Sequence, residues 1–82
     1  MYEEKIQRIE TEIQELKNYI KEHKKEIKKR EKILRMVVDN DIEVEIETYK
    51  EELEKFKEQL KIRKQLLKNY KKLWNKPNLK II

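Results

Sequence analysis

Acid–base or metal chemistry in this chain would have to begin at His23, its single histidine. Neighbours at helical spacing, Tyr19, Ile20, Glu26 and Ile27, supply one carboxylate between them. That is too few groups for a ligand set or a relay, so His23 reads as a partly buried helix-seam residue near Phe56 or Leu60. The chain contains no cysteine, which removes thiolate nucleophiles, disulfides and cysteine-based zinc sites. It also has no serine and no glycine, so neither a serine nucleophile nor a glycine-rich phosphate loop is present. Asp39, Asp41 and Glu43 begin like a calcium loop. Val44, however, stands where that loop needs glycine, and Lys50 where it needs its closing acid. The remaining acids are spaced as a solvated helix face would space them, with no isolated pair suited to general acid–base work. The expectation is a protein that is not an enzyme and has no cofactor and no metal.

Charge carries more information. From Gln59 onward there is no acid, while Lys61, Arg63, Lys64, Lys68, Lys71, Lys72 and Lys76 alternate with Tyr70 and Trp74. A basic helix of this kind can follow phosphates, lie on an anionic surface or enter an acidic protein groove. Lysine far outnumbers arginine in it, which disfavours reading of base edges. Its structural reading is a solvated face that complements the acidic start of the chain. Arg30 and Arg63 interrupt an otherwise apolar seam. They read as register markers with packed stems, or as the point where an anion or partner carboxylate enters. Folding back would also bring Arg30 near the ring of Tyr49.

The elements that must position these groups are helices. Glycine, alanine and serine, which tight turns and small globular cores use, are all absent, and 48% of the residues are charged. Apolar residues recur at alternating three- and four-residue spacing, a heptad. The first half places Ile6, Ile13, Ile20, Ile27 and Leu34 at a, with Tyr2, Ile9, Leu16, His23, Arg30 and Val37 at d. In the second half Ile46, Leu53, Leu60, Leu67 and Trp74 take a, and Ile42, Tyr49, Phe56, Arg63 and Tyr70 take d. The register slips between Leu34 and Ile46, at the turn-forming Asp39-Asn40-Asp41. Asn40 is a candidate left-handed helix end or cap, with Glu43 as its capping-box partner. Ile42, Val44 and Ile46 alternate with acids as a short strand would, but the run merges into the heptad. The expected fold is all-α. Helix one covers about residues 2–38, a turn about 39–41 and helix two about 42–76, ended by Pro77 ahead of a tail at 77–82.

Segment charges select an antiparallel pairing. Residues 3–15 carry five acids and two bases, and 59–82 carry eight bases; residues 21–35 hold eight bases and three acids, and 41–58 hold eight acids and three bases. Folding back sets each segment against its opposite. At finer scale the e positions oppose one another, Lys17 against Lys64 and Lys24 against Lys57, so part of one flank is mismatched. Tyr19, Ile33, Leu66 and Leu73 at g, with Ile62 nearby, fall outside a two-helix seam. Burying them needs another surface, and dimerisation to a four-helix bundle provides one.

The function expected from this pattern is a non-catalytic coiled-coil module for protein–protein interaction, a small regulator, adaptor or inhibitor and a homodimer. Tyr19, Ile33, Ile62, Leu66, Tyr70, Leu73 and Trp74 are its candidate partner or self-association contacts. A nucleic-acid binder using the basic C-terminal helix is the alternative, and a structural scaffold or spacer the third option. No apolar run is long enough for a signal peptide or a transmembrane helix, so an intracellular, cytoplasmic location without membrane insertion is expected.

Overall fold

Isoleucine and leucine at heptad spacing leave each helix one apolar stripe to bury, and the chain buries both stripes against each other. A computed structural model describes the backbone of residues 2–81 and the side chains of residues 2–74. Two helices, α1 (Tyr2–Leu34) and α2 (Asn40–Ile81), form an all-α antiparallel hairpin with principal extents of 68 × 16 × 14 Å. Its core is one layer deep. Ile9, Ile13, Ile20 and Ile27 of α1 and Ile46 and Leu53 of α2 are the buried hydrophobics, each 5–9% exposed. Leu34, Ile42, Tyr49, Phe56 and Leu60 pack partly buried against the cluster of Ile20, Ile27, Ile46 and Leu53. These are the a and d positions. His23, Arg30 and Arg63, the polar residues at d, are partly buried in the same seam.

The connection differs from the sequence expectation. α1 stops at Leu34 rather than 38, and Val37, expected to fill a d position, is 51% exposed. The last carbonyls of α1 are used in a tightened turn: Met36 N–H donates to Ile33 C=O at 2.9 Å, and Val37 N–H donates to the same oxygen at 3.1 Å. Two consecutive β-branched residues, Val37 and Val38, are poor continuations of a helix end. No described residue has positive φ, so Asn40 is not a left-handed terminator. Nor is Asn40 the cap, because α2 already begins there. The cap is Asp39, whose Oδ1 accepts from Asp41 N–H at 2.9 Å and Ile42 N–H at 3.4 Å. The carboxylate also faces the positive end of the helix dipole. A capping box from Asn40 to Glu43 therefore does not form; instead Glu43 N–H donates to Asp39 C=O at 3.2 Å. The stretch with strand-like alternation at 42–46 is helical.

At its other end α2 continues past Pro77 to Ile81, where a stop near residue 76 and a separate tail were expected. Proline removes one backbone donor, and a single missing rung can kink a long helix without ending it. No helix among the described residues is long and apolar enough to cross a membrane.

The cap makes a discriminating test. Asp39→Ala is expected to cost about 1 kcal/mol in urea denaturation. Asn40→Ala should stay within about 0.5 kcal/mol of wild type. A larger loss from Asn40→Ala than from Asp39→Ala would return the cap to Asn40.

Candidate interaction surfaces

Three polar residues sit at d, and each meets a carboxylate from the opposite helix. Arg30 Nε donates to Glu45 Oε2 at 2.7 Å, and Arg63 Nε donates to Glu12 Oε2 at 3.0 Å. His23 Nε2 lies 3.3 Å from Glu52 Oε2. Glu12, Glu45 and Glu52 are all g residues, so the three pairs lie along one flank of the hairpin. Intrahelical partners complete both guanidiniums. Arg30 Nη1 donates to Glu26 Oε1 at 2.9 Å, and Arg63 Nη1 donates to the Gln59 side-chain oxygen at 2.6 Å.

Aromatic rings fill the space beside these groups. Arg30 lies over Tyr49, 4.6 Å from the ring centroid, in the juxtaposition its place in the heptad predicts. His23 meets Tyr49 and Phe56 edge-on at 5.2 and 5.0 Å, and its Nδ1–H donates to Tyr19 C=O at 3.0 Å. The histidine is thus a packed seam residue beside Phe56. Its carboxylate neighbour, Glu52, comes from the other helix, where helical spacing along α1 could not locate it.

The same hydrogen bonds set the electrostatics. Arg30 holds the Glu26 carboxyl below its ordinary range, with Lys29 and Lys25 adding to the effect. Reciprocally, Glu26 and Glu45 push the Arg30 guanidinium further towards its charged form. Both guanidiniums are thus bonded to carboxylates of the same hairpin, Arg30 to Glu45 and Arg63 to Glu12. Such part-exposed pairs contribute little net stability.

The apolar candidates divide into two groups. Tyr70 is committed to the seam: its ring packs on Tyr2 at 6.0 Å, with the Lys5 ammonium 5.7 Å above it. Tyr19 stacks on Phe56 at 5.4 Å yet remains 51% exposed. Ile33, Ile62, Leu66, Leu73 and Trp74 are all 40–49% exposed. Ile62 and Leu66 share a shallow groove with Ile9 and Tyr70, rimmed by Lys5, Arg8 and Glu12. Trp74 lies on the other side of that end of the hairpin, beside Ile6 and Lys71.

The basic candidates divide as well. Arg63 is turned into the seam, and Lys71 pairs with Glu10 at 3.7 Å. Lys61, Lys64, Lys68 and Lys72 are exposed and make no ion pair among the described residues. Lys76 lies outside the described side chains.

Comparison with family models, with curated proteins and with solved structures returned no match.

The Arg30–Glu26 pair has a readable consequence. A carboxyl with a lowered folded pKa contributes stability above its ordinary value of 4.5, and that contribution is lost as pH falls through the folded value. NMR titration should find Glu26 below 4.5 in wild type and shifted upward in Arg30→Met. Identical Glu26 titrations in the two proteins would show that the pair does not persist in solution.

Proposed function

We propose that this chain is a non-catalytic coiled-coil interaction module whose first partner is a second copy of itself, two hairpins joining through their g flanks into a four-helix bundle. The observation that carries this reading is the apolar row left outside the seam: Tyr19, Ile33, Ile62, Leu66 and Leu73 stand 40–51% exposed on a 10.3 kDa protein. A single hairpin of this size has a marginal core, and no described side chain is fully buried. Packing a second stripe against the first raises the buried apolar area without a longer chain.

Charge on the g flank favours the same occupant. Its carboxylates Glu12, Glu26 and Glu45 are already engaged by Arg63 and Arg30 of the same chain. Desolvating that flank therefore strands few unpaired charges. The chain is also self-complementary along its length. Residues 41–58 are acidic and 59–82 basic, so a copy turned end for end about a twofold axis sets opposite charges together. Large apolar side chains carry most of the energy of such an interface, which points to Leu66 and Leu73 with Ile62 beside them.

Size-exclusion chromatography with light scattering tests this directly. Wild type should elute at about twice the 10.3 kDa chain mass. Leu66→Glu combined with Leu73→Glu should elute as a monomer while keeping most of its helical circular dichroism. A monomeric wild type at ~100 μM, or a double variant that assembles unchanged, would overturn the g-flank dimer; the affinity implied at that concentration is only about −5 kcal/mol, well within reach of a small bundle interface.

A further inference from the structure

The other flank of the hairpin has the opposite chemistry. Its register is fixed by Glu10 and Lys71, e residues whose charged atoms lie 3.7 Å apart across the two helices. Moving one heptad inward along both helices sets Lys17 against Lys64, and the next sets Lys24 against Lys57. The b positions on the same side continue the pattern. Along α1, Lys17, Lys21, Lys24 and Lys28 form one row; along α2, Lys57, Lys61, Lys64 and Lys68 form another. Every e and b position through this stretch is lysine, and all of them are exposed. Only Lys57 has a carboxylate within ion-pair distance among the described residues, Glu54 at 3.7 Å. The facing pairs Lys17–Lys64 and Lys24–Lys57 follow from the heptad register, and the structure adds that all eight lysines of the two rows are exposed.

We propose that these two lysine rows bind the phosphate backbone of duplex nucleic acid without reading its sequence. Several properties favour that partner. Lysine is a point charge suited to phosphate oxygens, whereas arginine is the residue suited to bidentate base contacts, and the rows contain no arginine. An acidic protein partner would call for apolar or aromatic anchors, and protein interfaces are depleted of lysine. No such anchor lies within the rows. Single-stranded nucleic acid is held largely by stacking on aromatic side chains, which the rows also lack. Each row spans about 16 Å of helix axis, and the helix axes of such a pair lie about 8–10 Å apart. That footprint is comparable with two phosphate strands bordering a minor groove about 6 Å wide. Facing and neighbouring lysines repel one another in the free protein, and a polyanion relieves that repulsion. The surface lies on the flank opposite the proposed dimer contact, so this assignment does not depend on self-association.

Fluorescence anisotropy with a labelled 20-base-pair duplex of mixed sequence, read from 50 to 200 mM salt, is the test. Contact with four or more phosphates gives a slope of log affinity against log salt of about −4 or steeper. Substituting Lys17, Lys24, Lys57 and Lys64 by Gln should lower affinity at least tenfold at the low-salt end and flatten the slope by about three units or more. Arginine at the same four positions should preserve binding. A charge-matched control, with Lys25, Lys29, Lys32 and Lys55 replaced by Gln on the outer c and f positions, should lose no more than about threefold. The glutamine variant of the rows should stay helical and melt above wild type, since it removes repulsion. If it loses helicity, the set Lys21, Lys28, Lys61 and Lys68→Gln provides the same comparison. Absence of duplex binding, equal losses in the row and control variants, or binding of polyglutamate as tight as that of the duplex would overturn the proposal.

Discussion

Two helices touching along one line can bury one stripe each, and that constraint governs the rest of this molecule. Six aliphatic side chains make up the buried core, drawn from both helices. Truncating any one of them to alanine would be expected to cost about 2–5 kcal/mol, a large share of the stability available to a domain this small. With so little core, every polar residue placed on the seam must be satisfied locally. The g position beside each d residue is where the satisfying group sits.

That requirement differentiates the flanks. Arg30 and Arg63 at d draw g carboxylates inward, leaving the g flank with largely compensated charge and an exposed apolar row. No cationic d residue reaches towards the e flank in the same way. Its outer layers are matched, as Glu10 and Lys71 illustrate, while its middle layers oppose lysine to lysine. One heptad register thus yields a hairpin with two chemically distinct long faces.

Much of this was legible in the sequence because heptad spacing is a short-range signal with a long-range consequence. The a and d residues from Ile6 to Tyr70 identify the seam, and the sign of each charged segment selects the antiparallel fold. The contact of Arg30 with Tyr49 and that of His23 with Phe56 follow from heptad position alone. The ends of the elements were less legible. Asp39 and Asn40 are both good caps, and which one serves depends on where α1 lets go. That in turn depends on how Val37 and Val38 fare at the end of a helix whose stripe has already run out. Pro77 signals a stop through the loss of one donor, which a long helix can absorb. The facing lysines, Lys17 with Lys64 and Lys24 with Lys57, were legible from the heptad, whereas Glu45 and Glu52, the cross-helix neighbours of Arg30 and His23, depended on the exact register. Segment charges are too coarse to supply it.

Repulsion on the e flank has an energetic meaning when set beside the core. Like-charged neighbours at helical spacing cost a few tenths of a kcal/mol each, and the two rows contain six such pairs along the helices in addition to the facing ones. The total, on the order of 1–3 kcal/mol, is comparable with one core side chain. A four-helix bundle closed through the g flanks would leave this cost in place and turn both e flanks outward on opposite sides. Such a dimer would present two phosphate-binding faces on one rigid body. A polyanion long enough to reach both would meet the second at high effective concentration, so that self-association strengthens binding with no new contact. The two proposed surfaces, independent in their chemistry, would then be coupled through valency alone.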